Sequence, residues 1–167
     1  DEENRSSDLA CYRAKHKMPP MLFTPDGDHP IINIEKGMLR AGFCASYRQE
    51  GERRVLWLHA GKAANAVPGR AEACLSGISL EQAKQAAQAL PKELAIAFRE
   101  EQDGLVLLIE GRGAHASTPE QGENALTGLI RMLCALPGME GDGLLPLLEE
   151  IALLFPHGET NGRSAGL

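Results

Sequence analysis

His115 closes a glycine-rich run, Gly111-Arg112-Gly113-Ala114-His115, and is followed at once by Ala116-Ser117-Thr118-Pro119. An imidazole brought by a strand end to the mouth of a helix can polarise an oxygen that gains negative charge in a reaction. Thr118 is placed to be the N-cap of such a helix, Pro119 suits its first position, and Gln121 can reach back to the cap. Backbone donors just after His115 would then point outward, and the positive helix end would reinforce the imidazole. The plainer alternative is a histidine in a strand-to-helix loop that only satisfies backbone carbonyls. Other polar groups also have two readings. Adjacent Glu2 and Glu3 are ordinarily a solvated acidic end, Asp26 in Pro25-Asp26-Gly27 is a turn former, and Asn65 can hold a left-handed turn or offer its amide to a ligand.

An α+β framework must position these groups. Residues 1–37 hold a short helix over 9–15 and then loops around Pro19, Pro20, Pro25 and Pro30, too broken for an independent core. From Met38 the pattern predicts strands over 39–48, 54–60 and 71–78. Ser79-Leu80-Glu81-Gln82 is a capping box that opens a helix to about Leu90, where Pro91 stops it. Strands over 95–99 and 105–110 are joined through Asp103-Gly104, a hairpin signal. Helices follow over 119–136, closed by Pro137-Gly138, and over 144–154. This order predicts one antiparallel sheet with helices packed on one face.

Composition narrows the function classes. The net charge of −6, from 17 Lys plus Arg against 23 Asp plus Glu, lacks the clustered cations that phosphate backbones require, so no nucleic-acid partner is expected. No apolar run reaches the roughly 20 residues that span a bilayer, so no membrane partner is expected and a cytoplasmic location is the default. Cys11, Cys44, Cys74 and Cys134 form no CxxC pair and read as reduced thiols in hydrophobic positions. The abrupt opening on Asp1-Glu2-Glu3 reads as the interior of a longer polypeptide.

The run Gly111-x-x-x-His115-x-Ser117-x-Pro119-Glu120-x-Gly122-x-Asn124-Ala125 resembles the lid segment of M20 metallopeptidases, and among them the PepV-like dipeptidases. Three further stretches resemble the same family in the same order: Asp1-Glu2-Glu3, Thr24-Pro25-Asp26 with Pro30, Ile32 and Glu35-Lys36-Gly37, and Asn65-x-Val67-Pro68-x-x-Ala71-Glu72-Ala73. The match departs from the family at Asn4-Arg5 and at Gly69, which puts local loop shapes in doubt. The resemblance implies that Glu2 is a general base, that Glu3 and Asp26 are metal ligands, and that Asn65 and His115 face the substrate, His115 stabilising the oxyanion. It implies two divalent ions, zinc or manganese, in a full-length parent that hydrolyses dipeptides or small peptides. Residues 1–37 would then end the first segment of an α/β catalytic domain, and residues 38–167 would be an incomplete, ferredoxin-like lid. The family's upstream His-x-Asp segment and late histidine ligand have no counterpart here, and two carboxylates cannot complete a dinuclear site. The segment alone is therefore expected to bind no metal and to be inactive, with the rest of the catalytic domain as its partner. A lid cut partway would expose a sheet edge or apolar face, and the segment is then expected to form a homodimer or to adopt a strained fold. Two other readings stand beside this one: an M20 deacylase of acylated amino acids, and a non-catalytic α+β interaction or ligand-binding module.

Overall fold

Alternation along two neighbouring strands puts Ala71, Ala73 and Leu75 on the same sheet face as Leu105, Leu107 and Ile109, and all are at most 3% exposed. That face is the floor of the hydrophobic core. The chain is seen here as a computed structural model that describes residues 7–21, 41–139 and 141–166. It divides into two units, Asp1–Phe43 and Cys44–Leu167.

In the first unit, helix α1 spans Ser7–Lys15 and buries no side chain. Asp8 in its first turn and Arg13 and Lys15 in its last complement the helix dipole, and the Tyr12 and His16 rings stack with centroids 4.8 Å apart.

The second unit holds the sheet. Strands β1 (Arg54–Ala60), β3 (Arg70–Ser76), β4 (Ala95–Glu101) and β5 (Gly104–Glu110) pair antiparallel in the order β1-β3-β5-β4. A bulge between Val55 and Trp57 turns Val55 into the core, while Trp57 stacks on His59 with centroids 5.3 Å apart. The two-residue strands β2 (Ala66–Val67) and β6 (Ala114–His115) form a separate ribbon. Helix α2 (Leu80–Ala86) opens on the expected capping box: Ser79 Oγ accepts from Gln82 N at 3.2 Å, and Ser79 N donates to Gln82 Oε1 at 3.0 Å. The helix tightens into a 3-10 turn, Ala87–Ala89, ahead of Pro91.

Helix α3 (Ala125–Cys134) buries Leu129, Ile130, Met132 and Leu133 over the sheet floor. Each such side chain contributes roughly 1.5–3 kcal/mol when fully withdrawn from water. Helix α4 (Leu145–Leu154) packs on α3 through Leu148 and leaves Leu153 and Phe155 more than half exposed. The α+β architecture with an antiparallel sheet is as the sequence predicts.

Three local expectations fail. The strand over 39–48 does not form in its described part: residues 41–48 are irregular, and Gln49 makes only an isolated bridge to Asp142. Ala41, Gly42, Ala45 and Ser46 offer too little apolar surface for a half-buried strand. The helix placed at Pro119 begins instead at Ala125, and Pro119–Gln121 is a single 3-10 turn. Nor are all the cysteines in hydrophobic positions, since Cys11 and Cys44 are exposed while Cys74 is buried and Cys134 half-buried.

Asp142 is the buried charged residue of the described core, at 1% exposure. Its side chain accepts from Val55 N at 2.7 Å and Leu144 N at 2.9 Å. Gln49 Nε2 donates to Val55 O at 2.6 Å and lies 3.5 Å from Asp142 Oδ1. One carboxyl group thus ties the start of β1 to the turn that opens α4.

Candidate active site

Asn65 and His115 lie 50 residues apart in sequence and side by side in the fold. The ribbon pairs Ala66 with His115 and Val67 with Ala114, and Ala116 N donates to Asn65 O at 2.8 Å. Flanking backbone bonds lock the ribbon to the sheet and to α3: Gly111 N to Gly69 O at 2.9 Å, Ala125 N to Pro68 O at 2.8 Å, and a reciprocal pair between Arg112 and Glu123 at 2.8 and 3.1 Å. This close crossing explains two glycines. A Cβ on Gly69 would sit 2.6 Å from Gly113 N, and one on Gly122 would meet Ala114 Cβ, Arg112 O and Val67 Cγ1, each at 3.0 Å.

The His115 side chain is exposed, and Ser117 orients it. Ser117 N donates to His115 Nδ1 at 3.2 Å, and Ser117 Oγ lies 2.7 Å from the same nitrogen. A backbone N–H can only donate, so Nδ1 is an acceptor and the proton of the neutral ring sits on Nε2. The ring is thereby set as a hydrogen-bond donor through Nε2. Asn65 is half-buried in the turn before β2, where its amide makes no side-chain hydrogen bond among the described residues.

The helix mouth expected beside His115 is not there. Thr118 makes no side-chain cap bond, and its backbone (φ −131, ψ 58) is not that of an N-cap. Ala116 N is spent on Asn65 O, Ser117 N on Nδ1 and Thr118 N on His115 O at 3.0 Å, so these donors do not point outward. The cap of α3 is Asn124, whose Oδ1 accepts from Leu126 N at 3.0 Å and Thr127 N at 3.2 Å. The pairing of Glu123 with Arg112 keeps residues 122–123 extended, and that tertiary contact overrides the local Thr-Pro signal. No helix end therefore stands directly after His115.

Glu2, Glu3 and Asp26, the expected base and metal ligands, lie outside the described residues. Among the described residues no three His, Cys, Asp or Glu side chains gather as a metal site. A hollow of about 490 Å³ lies beneath the Asn65 turn and the ribbon, lined by His59, Lys62, Ala66, Arg70, Glu72 and Gly113 among others. Arg70 and Glu72 pair across its wall, with Arg70 Nε donating to Glu72 at 2.7 Å. In the sequence neither a lone Lys62 nor the edge-strand His59 marks this hollow. No helix among the described residues is long and apolar enough to cross a membrane.

No family model matches the chain. Relatives of known name do. The chain is 34% identical over 128 residues to the Beta-Ala-Xaa dipeptidase of Lactobacillus delbrueckii subsp. lactis, covering 73% of this chain and 27% of that protein. It is 32% identical over 134 residues to YtjP of Bacillus subtilis (strain 168), a protein provisionally named a dipeptidase, covering 75% of this chain and 28% of the relative. A similarly named protein, SAB1611c of Staphylococcus aureus (strain bovine RF122 / ET3-1), is 30% identical over 81% of this chain and 30% of its own length. The chain thus spans between a quarter and a third of the length of the relatives it matches.

Proposed function

We propose that this chain is part of an M20-type, PepV-like metallopeptidase that hydrolyses dipeptides or similarly small peptides, and that residues 38–167 belong to the lid carrying the substrate-facing groups. The observation that bears the most weight is the backbone pairing that seats Asn65 beside His115 on a ribbon locked to the core, with the His115 proton set on Nε2. The dipeptidase names of three relatives agree with it. The succession β3-α2-β4-β5-α3 supports a ferredoxin-like lid, with β1 taking the edge place that the last strand holds in that fold.

In this reading the carboxylates of Glu3 and Asp26 would belong to the ligand set of a dinuclear zinc or manganese centre completed by residues outside the 167, residues 1–37 being the end of a catalytic-domain segment. Divalent ions held there would supply electrophilic activation. Glu2 accepts a proton from the attacking water. His115 Nε2–H donates to the carbonyl oxygen as it gains charge, and the Asn65 amide orients the peptide from the neighbouring turn.

The test is dipeptide hydrolysis by the intact polypeptide. His115→Ala should lower kcat by about 10²–10³-fold with little change in KM, the behaviour of a donor engaged chiefly in the transition state. Full activity after that replacement overturns the reading. The outer position of β1 and β4 also fits self-association through the lid. Light scattering that shows only monomer across concentrations would refute that part.

A further inference from the structure

A second hollow, of about 380 Å³, lies between the start of α3 and the segment that follows α4, a volume suited to a small organic molecule. His157 lines it and meets Thr127. The Thr127 hydroxyl reaches both Asn124 O at 3.1 Å and His157 Nδ1 at 2.8 Å, and with its proton on the carbonyl it accepts from Nδ1–H. In that tautomer the neutral His157 ring keeps its lone pair on Nε2. Burial pushes the imidazole below its ordinary pKa, aided by Arg131 and opposed by Glu123 and Glu93, which favours the neutral ring.

The hollow also touches the amino end of α3, which would ordinarily favour an anion. That end is closed. Asn124 Oδ1 takes Leu126 N and Thr127 N, Pro68 O takes Ala125 N, and Asn124 O takes Gly128 N. The charged side chains among the described lining residues are Glu120, Glu123 and Glu159, with no Lys or Arg. Glu123 is partly engaged by Arg112 at 3.4 Å, and Glu159 accepts from Ser164 N at 2.9 Å. Leu154, Phe155 and Pro156 supply an apolar wall, of which Phe155 is 62% exposed.

An acceptor nitrogen, a negative lining and an apolar wall select one chemistry. We propose that this hollow binds a small primary ammonium bearing an apolar group, its N–H donors taken by His157 Nε2 and the carboxylates of Glu120 and Glu123, its apolar part laid on Leu154 and Phe155. The site does not depend on peptide hydrolysis, and its test on the intact polypeptide reads binding rather than activity.

The probe is phenethylammonium, with 2-phenylethanol and 3-phenylpropanoate as neutral and anionic controls, followed by calorimetry and by the imidazole resonances of His157 at pH 7.5. Saturable binding of the ammonium, a shift of the His157 ring, and much weaker binding of both controls are expected. His157→Phe should weaken binding about tenfold, the loss of one hydrogen bond to a charged group. His157→Phe also removes a donor to Thr127, so exposed Glu120→Gln serves as the second variant and should weaken binding several-fold at unchanged Tm. Equal binding of the alcohol, preference for the carboxylate, absence of saturation, or affinity untouched by both variants overturns the proposal.

Discussion

Single side chains in this protein act by deciding where a proton or a lone pair sits. Ser117 does so for His115, whose Nδ1 accepts from Ser117 N, and Asp142 does so for the backbone, accepting from two N–H groups that no strand or helix would satisfy. Asp142→Ala leaves Val55 N and Leu144 N buried or half-buried without their acceptor, and should cost about 2–4 kcal/mol of unfolding free energy. Asp142→Asn, which keeps one acceptor oxygen, should recover part of that loss. Urea titration of the three proteins checks the order. Such residues differ in how far the sequence discloses them. His115 and Asn65 stand in patterned runs, whereas Asp142 lies in Gly141-Asp142-Gly143, where a turn is explanation enough and the partner Val55 is 87 positions away. Burial also separates the thiols: it raises the pKa of Cys74, with Glu101 and Asp103 adding to the effect, while Cys11 and Cys44 are exposed. An alkylating reagent should therefore modify Cys11 and Cys44 quickly and Cys74 only after unfolding, as mass spectrometry of timed samples would record.

Elements whose signals are local were legible in the sequence, and those set by contacts across the fold were not. The Ser79 capping box, the hairpin through Asp103 and the apolar stripe of α3 each depend on neighbours within a few residues, and each is present. The start of α3 is the instructive failure. Thr118-Pro119 carries every local mark of a helix opening, yet it yields only a 3-10 turn, and Arg112 and Glu123 exchange backbone hydrogen bonds that keep residues 122–123 extended ahead of Asn124. The ribbon β2-β6 was missed for the same reason, since two residues on each side give no periodicity to read. A pair of substitutions tests which residue is the cap. Asn124→Ala should cost about 1 kcal/mol, the usual worth of an N-cap side chain, while Thr118→Ala should change stability by less than about half that. Equal losses in chemical denaturation would return the cap to Thr118.

At the scale of the second unit, the segment after α4 is fastened to α3 through His157 and Thr127, so the protonation state of one imidazole bears on stability. Burial is the largest influence on that ring and lowers its folded-state pKa below the ordinary 6.5, with Arg131 acting in the same direction and Glu123 and Glu93 against it. A depressed folded-state value means that the unfolded chain binds the proton more readily. The stability contributed by neutral His157 is therefore present above about pH 6.5, and it is lost as the pH falls through the lower, folded-state value. Protonation also gives Nε2 a hydrogen, so the same acidification that loosens the segment removes the acceptor on which ammonium binding depends. Carboxylates elsewhere titrate in acid too, and the comparison must isolate one group. The difference in unfolding free energy between the parent chain and His157→Gln, measured in urea at pH 7.5 and again near pH 5, supplies that isolation. The parent's advantage over the variant should shrink toward the lower pH, and an advantage that grows on acidification would mean that the imidazolium, not the neutral ring, is the form the fold prefers.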